Sequence, residues 1–347
     1  MRFVCFGTGA IGAYIGGSLA LAGHNVVFVD RPEVAASLRQ CGILLEAPES
    51  DQQQTRRIEN PQVVGSAAEA FKTGPYDAGI LAVKSFDTPS VIDSLRLLAA
   101  GVPPVVSFQN GVENEPALAA LLGAERVIPG TVTTAIGRKG PGAVVVERLR
   151  GIGISAGHPL SPALLDAAAG AGLRPRGYEN PAAMKWSKLL TNLIANATSA
   201  ILDMPPAQIY ANPALYRIEA RMLRETLHVM QAQNIPVVDL PATPVRLLAW
   251  IIARLPLGVS RALLVRSVVS GRGAKMPSFH IDLAAGRKNS EVTYLNGAVA
   301  RYGKKHHTPA PVNHTLTRIL TDIAAGAEAW ETYAHRPEAL LEKIPDE

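Results

Sequence analysis

An ammonium and two carboxamides stand four residues apart near the middle of the 347-residue chain: Lys188, Asn192 and Asn196. On a helix that spacing turns each residue about 40° from the last, so the three share one stripe. A lysine so placed can put a positive charge and a proton on an oxygen where negative charge builds, and the two carboxamides must either face water or meet something polar. A second constellation opens the chain. Gly7-Thr8-Gly9-Ala10-Ile11-Gly12 reads G-x-G-x-x-G directly after the apolar run Arg2 to Phe6. Gly7 permits the tight turn, Gly9 lets a pyrophosphate approach the backbone, and Gly12 lets a helix pack close to the strand. The helix that begins at Ala10 and Ile11 offers its unpaired N–H groups to the phosphates.

The elements that hold these residues can be read from hydrophobic period and punctuation. Met184, Leu189, Leu190, Leu193, Ile194, Ala197 and Ile201 recur at helical spacing behind the cap Asn180-Pro181, which predicts one buried helix over 180–202. On spacing alone, its polar stripe reads first as the solvated edge of an amphipathic helix. At the N-terminus, Gly23 stops the first helix and Val26 to Val29 forms a second strand ending at Asp30-Arg31. Asp30 falls where an acidic residue bonds the ribose hydroxyls of a dinucleotide, whereas Arg31, with Lys84, suits a 2′-phosphate.

Ala78 to Val83 is a strand buried on both faces, closed by Lys84. A helix over 85–99 follows, then a strand over Val105 to Phe108 that ends in Gln109-Asn110-Gly111. That tripeptide reads as a plain Asn-Gly turn, or as a ligand-side loop at the end of a sheet strand. Ala143 to Val146 and Gly151 to Ile154 suggest a hairpin, and Arg174 to Tyr178 a last strand. Beyond Asn180 the patterns are helical: 213–233, 243–255, 259–269, 290–307 and 311–330. The fold class is α/β, with an N-terminal Rossmann-type dinucleotide-binding domain (1–179) followed by an all-helical C-terminal domain (180–347). The Lys188 helix begins at their junction, and because ligand sites favour domain interfaces, this argues for a functional stripe.

Composition excludes several classes. Hydrophobic residues at 48% and charged residues at 18% describe a soluble globular chain. The net charge of +5 comes without a dense basic run, since Arg56-Arg57 and Lys304-Lys305 are isolated pairs. Small anions are therefore favoured as partners over nucleic acid. Cys5 and Cys41 are too few and too separated for a disulfide framework or a metal cluster, which fits a reducing cytoplasm. Glycines at 7, 9, 12, 16 and 17 interrupt the N-terminal apolar run where a secretory signal wants leucine, and no stretch of about 18 apolar residues offers a membrane span. His24 reads as a turn residue and Trp186 as core, His306, His307 and His314 show no partner pattern that would give them a catalytic or metal role, and His280 lies closer to the candidate site without a chemical task.

At this point the residues carry a family resemblance. The GTGAIG start, LAVKSFDT around Lys84, SFQNGVENE around Asn110, WSKLLTNLIAN around Lys188 and MPSFHIDLAAGRKNSEVTYLNGAV around Glu291 together resemble the ketopantoate reductases, in order along most of the chain. Two departures stand out: the segment 237–275 is longer than in compact members, and one extra residue lies between Arg287 and Glu291.

The resemblance implies NADPH-dependent reduction of a small anionic 2-oxo acid, 2-dehydropantoate, on the route to pantothenate. By the same resemblance Lys188 is the proton donor, and Asn110 holds nicotinamide and substrate. Asn192 and Asn196 bind the substrate's polar groups, Ser278 its carboxylate, and Glu291 its hydroxyl together with the cofactor. The glycine loop, Arg31 and Lys84 complete the cofactor set, and no metal is implied. Hydride arriving at a ketone carbon leaves charge on oxygen, and an ammonium on an apolar helix is a better acid than one in water, so the chemistry agrees. A related reductase of another 2-oxo or imino acid shares every one of these features. A nicotinamide-binding sensor without turnover is the alternative of another class, and the intact Lys188, Asn192 and Glu291 speak against it.

Overall fold

The computed structural model describes residues 1–46, 55–272 and 275–345, with the backbone alone over 266–272. Two units emerge: Met1–Lys185 with Asp239–Thr243, and Trp186–Val238 with Pro244–Glu347. No helix among the described residues is long and apolar enough to cross a membrane.

The first unit is built on an eight-stranded sheet. From edge to edge it runs Pro175–Tyr178, Ile152–Ser155, Val127–Val132, Val105–Ser107, Ala78–Leu81, Arg2–Phe6, Asn25–Val29 and Gln62–Val64. All pairings are parallel except that of Ile152–Ser155 with Val127–Val132. Val4, Cys5, Ile80, Leu81, Val105 and Val106 are almost wholly buried, as strands covered on both faces must be. Strand order reverses beside Arg2–Phe6, so the loops after that strand and after Ala78–Leu81 open at a topological switch point, where ligands of such sheets bind. Burial pushes the Cys5 thiol far up, which leaves it inert; both cysteines are free thiols.

The expected hairpin of Ala143 to Val146 with Gly151 to Ile154 does not form. Ala143–Arg148 pairs instead with Ala135–Gly140 and Ile43–Glu46 in a second, four-stranded sheet, while Ile152–Ser155 joins the main sheet. Both runs have the right period, but period does not name a partner. The expected helix over 85–99 is a short α-helix, Thr88–Leu95, between 3-10 turns at Ser85–Asp87 and Arg96–Gly101.

The second unit is helical. Its long helix, Pro213–Ala232, starts under Asn212, whose Oδ1 accepts from the backbone N–H groups of Ala214 and Leu215. Glu225 on that helix accepts from the N–H groups of Val312 (2.8 Å) and Asn313 (3.0 Å), which fixes the start of Pro311–Ala325. That helix ends at left-handed Gly326, short of the expected Trp330. The segment expected as one helix over 290–307 is a 3-10 turn, Glu291–Tyr294, followed by the helix Asn296–Lys305. Helices at Val245–Arg254 and Leu257–Arg272 fill most of the long 237–275 segment.

Candidate active site

The glycine loop has the shape a diphosphate requires. Gly7 has φ +91°, and a Cβ on Gly12 would lie 1.8 Å from the Gly7 carbonyl oxygen, so neither tolerates a side chain. A Cβ on Gly9 would meet nothing within 4 Å; it would fill the space through which a phosphate reaches the backbone. The helix Ala10–Leu21 starts without a side-chain cap, which leaves its first N–H groups available to an anion. These residues fit a dinucleotide.

At the next strand end, Asp30 faces the same loop. Its Oδ2 accepts from the Thr8 N–H at 2.7 Å and from the Thr8 hydroxyl, and its Oδ1 accepts from the Arg31 N–H at 2.8 Å. Thr8 was not singled out in the sequence, where it occupies a variable position of the fingerprint. The exposed Arg31 guanidinium lies 3.5 Å from the exposed Glu33 carboxylate, a pairing that solvent screens and a phosphate can displace. Lys84, half-buried, follows the strand Ala78–Leu81.

Asn110 sits in a loop tied down by a buried polar network. The Asn110 carbonyl accepts from Ser85 Oγ (2.9 Å) and Asn114 Nδ2 (2.7 Å); Asn114 Oδ1 accepts from the Thr88 hydroxyl, and Gln109 Nε2 donates to the Val83 carbonyl and to Thr88. Lys185 completes it, with Nζ donating to the carbonyls of Gln109 (2.6 Å) and Gly130 (3.2 Å) and lying 2.7 Å from Glu115 Oε1. The loops bearing Lys84 and Asn110 are thus bonded to each other. Sequence reasoning missed these partners. The available signals were Asn114 one helical turn beyond Asn110, and Lys185 set among the apolar Met184 and Trp186.

In the second unit, Lys188 and Asn192 share one face of the helix Pro181–Leu193, both half-buried. The expectation of one helix over 180–202 fails here: Ala195 adopts φ +49°, and a new helix runs Asn196–Leu202. Asn196 therefore leaves the stripe. Its buried amide donates to the Asn192 carbonyl (3.0 Å) and Ser278 Oγ (3.4 Å), and accepts from the Phe279 N–H (3.1 Å). The structure thus joins Asn192, Asn196 and Ser278, with Ser278 exposed at the start of Ser278–Ala284. Glu291 is buried at the first position of its 3-10 turn, under the Ser290 cap. His280 pairs with Asp203, at 2.6 Å. Trp186 is core, edge-on to Tyr302.

A family model described as "Ketopantoate reductase PanE/ApbA" matches residues 3–157, and its C-terminal counterpart matches residues 180–324. A curated 2-dehydropantoate 2-reductase from Halobacterium salinarum is 27% identical over 330 residues, covering 92% of this chain and 98% of that protein. The crystal structure of a PanE/ApbA family ketopantoate reductase from Ralstonia eutropha JMP134 aligns with a TM-score of 0.78 at 26% identity, over 94% of this chain and 99% of that one. D-mandelate dehydrogenase, solved with NADH and anilino(oxo)acetate, shares the fold at a TM-score of 0.76 and 20% identity, over 94% and 99% of the two chains. The chain belongs to the ketopantoate reductase family.

Proposed function

We propose that this member of the ketopantoate reductase family reduces 2-dehydropantoate to pantoate with NADPH, as an oxidoreductase of pantothenate biosynthesis. The nicotinamide supplies the hydride. Lys188 stabilises the charge that develops on the ketone oxygen and delivers the proton to it. Asn192, Asn196 and Ser278 bind the polar end of the 2-oxo acid, Ser278 at its carboxylate, and Glu291 accepts from the substrate hydroxyl and helps hold the cofactor. In the first unit, Gly7, Gly9, Ala10, Ile11 and Gly12 would receive the diphosphate, Arg31 and Lys84 the 2′-phosphate, and Asn110 the nicotinamide. The observation that carries the reading is the substrate set itself: Asn192 on the face of Lys188, and Asn196 tied to both Asn192 and the Ser278 helix.

The preference for NADPH over NADH rests on Asp30 and Arg31. A carboxylate offers about four lone-pair sites, and three donors already occupy Asp30, which weakens it as a reader of ribose hydroxyls. Following NADPH oxidation against a panel of 2-oxo acids tests the function directly. Lys188→Ala should lower kcat by at least roughly 10²-fold with cofactor binding intact. Glu291→Ala should cost about 10- to 150-fold in kcat/KM with ketopantoate and much less with 2-oxoisovalerate, which lacks the hydroxyl. Near-full turnover by Lys188→Ala, or equal losses with the two substrates, would remove the corresponding role.

A further inference from the structure

The break at Ala195 is not written in the residue types around it. Leu193-Ile194-Ala195-Asn196-Ala197 contains neither glycine nor proline, and a β-carbon in the left-handed region is disfavoured, so something beyond the segment must hold it there. Beside the bonds of Asn196 to Ser278 and Phe279, the group that reaches the break itself is Glu219 on the long helix Pro213–Ala232. Its fully buried carboxylate accepts from the Ala195 N–H (2.7 Å, Oε2), the Thr198 hydroxyl (2.6 Å, Oε1) and the Tyr210 hydroxyl (3.3 Å, Oε2). Two of these donors lie on either side of Asn196. The carboxylate therefore grips the first turn of the wholly buried Asn196–Leu202 and complements that helix's N-terminal dipole. Asn196 in turn fixes the Asn192 carbonyl and the start of Ser278–Ala284.

The same short helix is held at its other end. Asp203 is also left-handed (φ +50°), and its carboxylate lies 2.6 Å from His280 Nε2 and 3.3 Å from His335 Nε2. Ser278–Ala284 is thus tied to Asn196–Leu202 twice, through Asn196 and through His280, and only the first tie runs through residues proposed to bind substrate.

We propose that Glu219 is a positioning residue of the substrate-binding set: by holding the left-handed break at Ala195 it places Asn196 against Asn192 and Ser278. This rests on the substrate roles proposed above for those three residues. Glu219 touches no substrate group in this scheme; it acts through Ala195 and Thr198.

Glu219→Met tests it, because the apolar side chain keeps about the length of glutamate but accepts nothing from the Ala195 N–H, whereas a glutamine keeps an oxygen for that N–H and turns its amide nitrogen to the Thr198 hydroxyl oxygen. Hydrogen exchange of backbone amides should quicken about tenfold or more at 195–199 and 278–284, and stay unchanged in Ala10–Leu21 and Pro311–Ala325. The KM for the 2-oxo acid should rise by about tenfold, with the KM for NADPH unchanged. Adding Ala195→Gly, which accepts the left-handed conformation without a β-carbon, should recover most of both effects. Exchange rates at 195–199 equal to wild type, a rise spread evenly over the second unit, or a wild-type KM for the 2-oxo acid would each overturn the proposal. Should the wild-type protein reduce no 2-oxo acid at all, the function proposed above falls while the exchange measurement still decides the role of Glu219.

Discussion

Lys185→Met removes an ammonium whose side chain is 6% exposed, facing a Glu115 side chain that is 11% exposed. What stays behind is a buried carboxylate and two carbonyls, of Gln109 and Gly130, that lose a charged donor. Breaking a buried ion pair from one side costs about 3–5 kcal/mol, because the orphaned charge remains in a medium of low dielectric. In a unit of roughly 150–250 residues, about 1 kcal/mol moves Tm by about 2–4 °C, so the first unit should melt about 6–20 °C lower. Adding Glu115→Gln removes the orphaned charge and should recover at least half of that loss. Scanning calorimetry of the wild type, both single variants and the double closes the cycle, with the transition of the first unit as the readout. A loss below about 1 kcal/mol, the scale of a solvated surface pair, or strictly additive single effects would refute a desolvated Lys185–Glu115 pair.

The cofactor preference should respond to the two residues at the end of Asn25–Val29. Arg31→Ala should lose most of the preference for NADPH and Asp30→Ala should sharpen it, judged by kcat/KM for both cofactors; a wild type that prefers NADH and ignores Arg31→Ala would reverse the assignment. Asn196→Asp keeps an acceptor for the Phe279 N–H but sets a carboxylate against the Asn192 carbonyl, so kcat/KM for the 2-oxo acid should fall by about 10- to 150-fold. A change under threefold or so would mean the amide donor is idle. Burial holds the Glu225 carboxyl above its ordinary 4.5, against the donors Asn313 and Val312. The folded state then binds this proton more tightly than the unfolded chain, so stability from this group is greatest at low pH and is lost as pH rises from 4.5 through the raised value. Glu225→Gln should flatten that stretch of the second unit's pH–stability curve, and an unaltered slope in chemical denaturation would contradict it.

Much of the fold was legible because burial on both faces writes itself into sequence: Ala78 to Leu81 and Phe3 to Phe6 are apolar without alternation, as central parallel strands must be. Of the strands that escaped notice, Val127–Val132 and Ala135–Gly140 are six residues long but interrupted by Pro129 and Gly130 or by Gly137 and two basic residues, and others are short. Arg56–Ile58 is three residues, two of them arginine, and Gln62–Val64 sits at the edge of the sheet. Pairing rather than propensity makes them strands, and pairing is a property of distant segments. The same reason undid the expected hairpin, where Ala143–Arg148 found its partner about a hundred residues back, at Ile43–Glu46.

In the candidate site, residues that belong to motifs could be read and their supports could not. The glycine fingerprint, Lys188 and Asn192 announce themselves by spacing. Ser85, Asn114 and Glu115 act only once the chain has folded, since each looks locally like an ordinary loop or helix-start residue. The break at Ala195 is the sharpest case, because an unbroken helical pattern argued against it and the group that enforces it lies 24 residues away. Natural sequences concentrate such conflicts between local preference and fold where geometry must be particular. Here the conflict falls between Asn192 and Asn196 and is held by a buried carboxylate. A continuous helix would have carried Asn196 on along the Lys188 stripe. The break turns it instead toward Ser278, and converts a third residue of a stripe into the joint between Asn192 and the start of Ser278–Ala284.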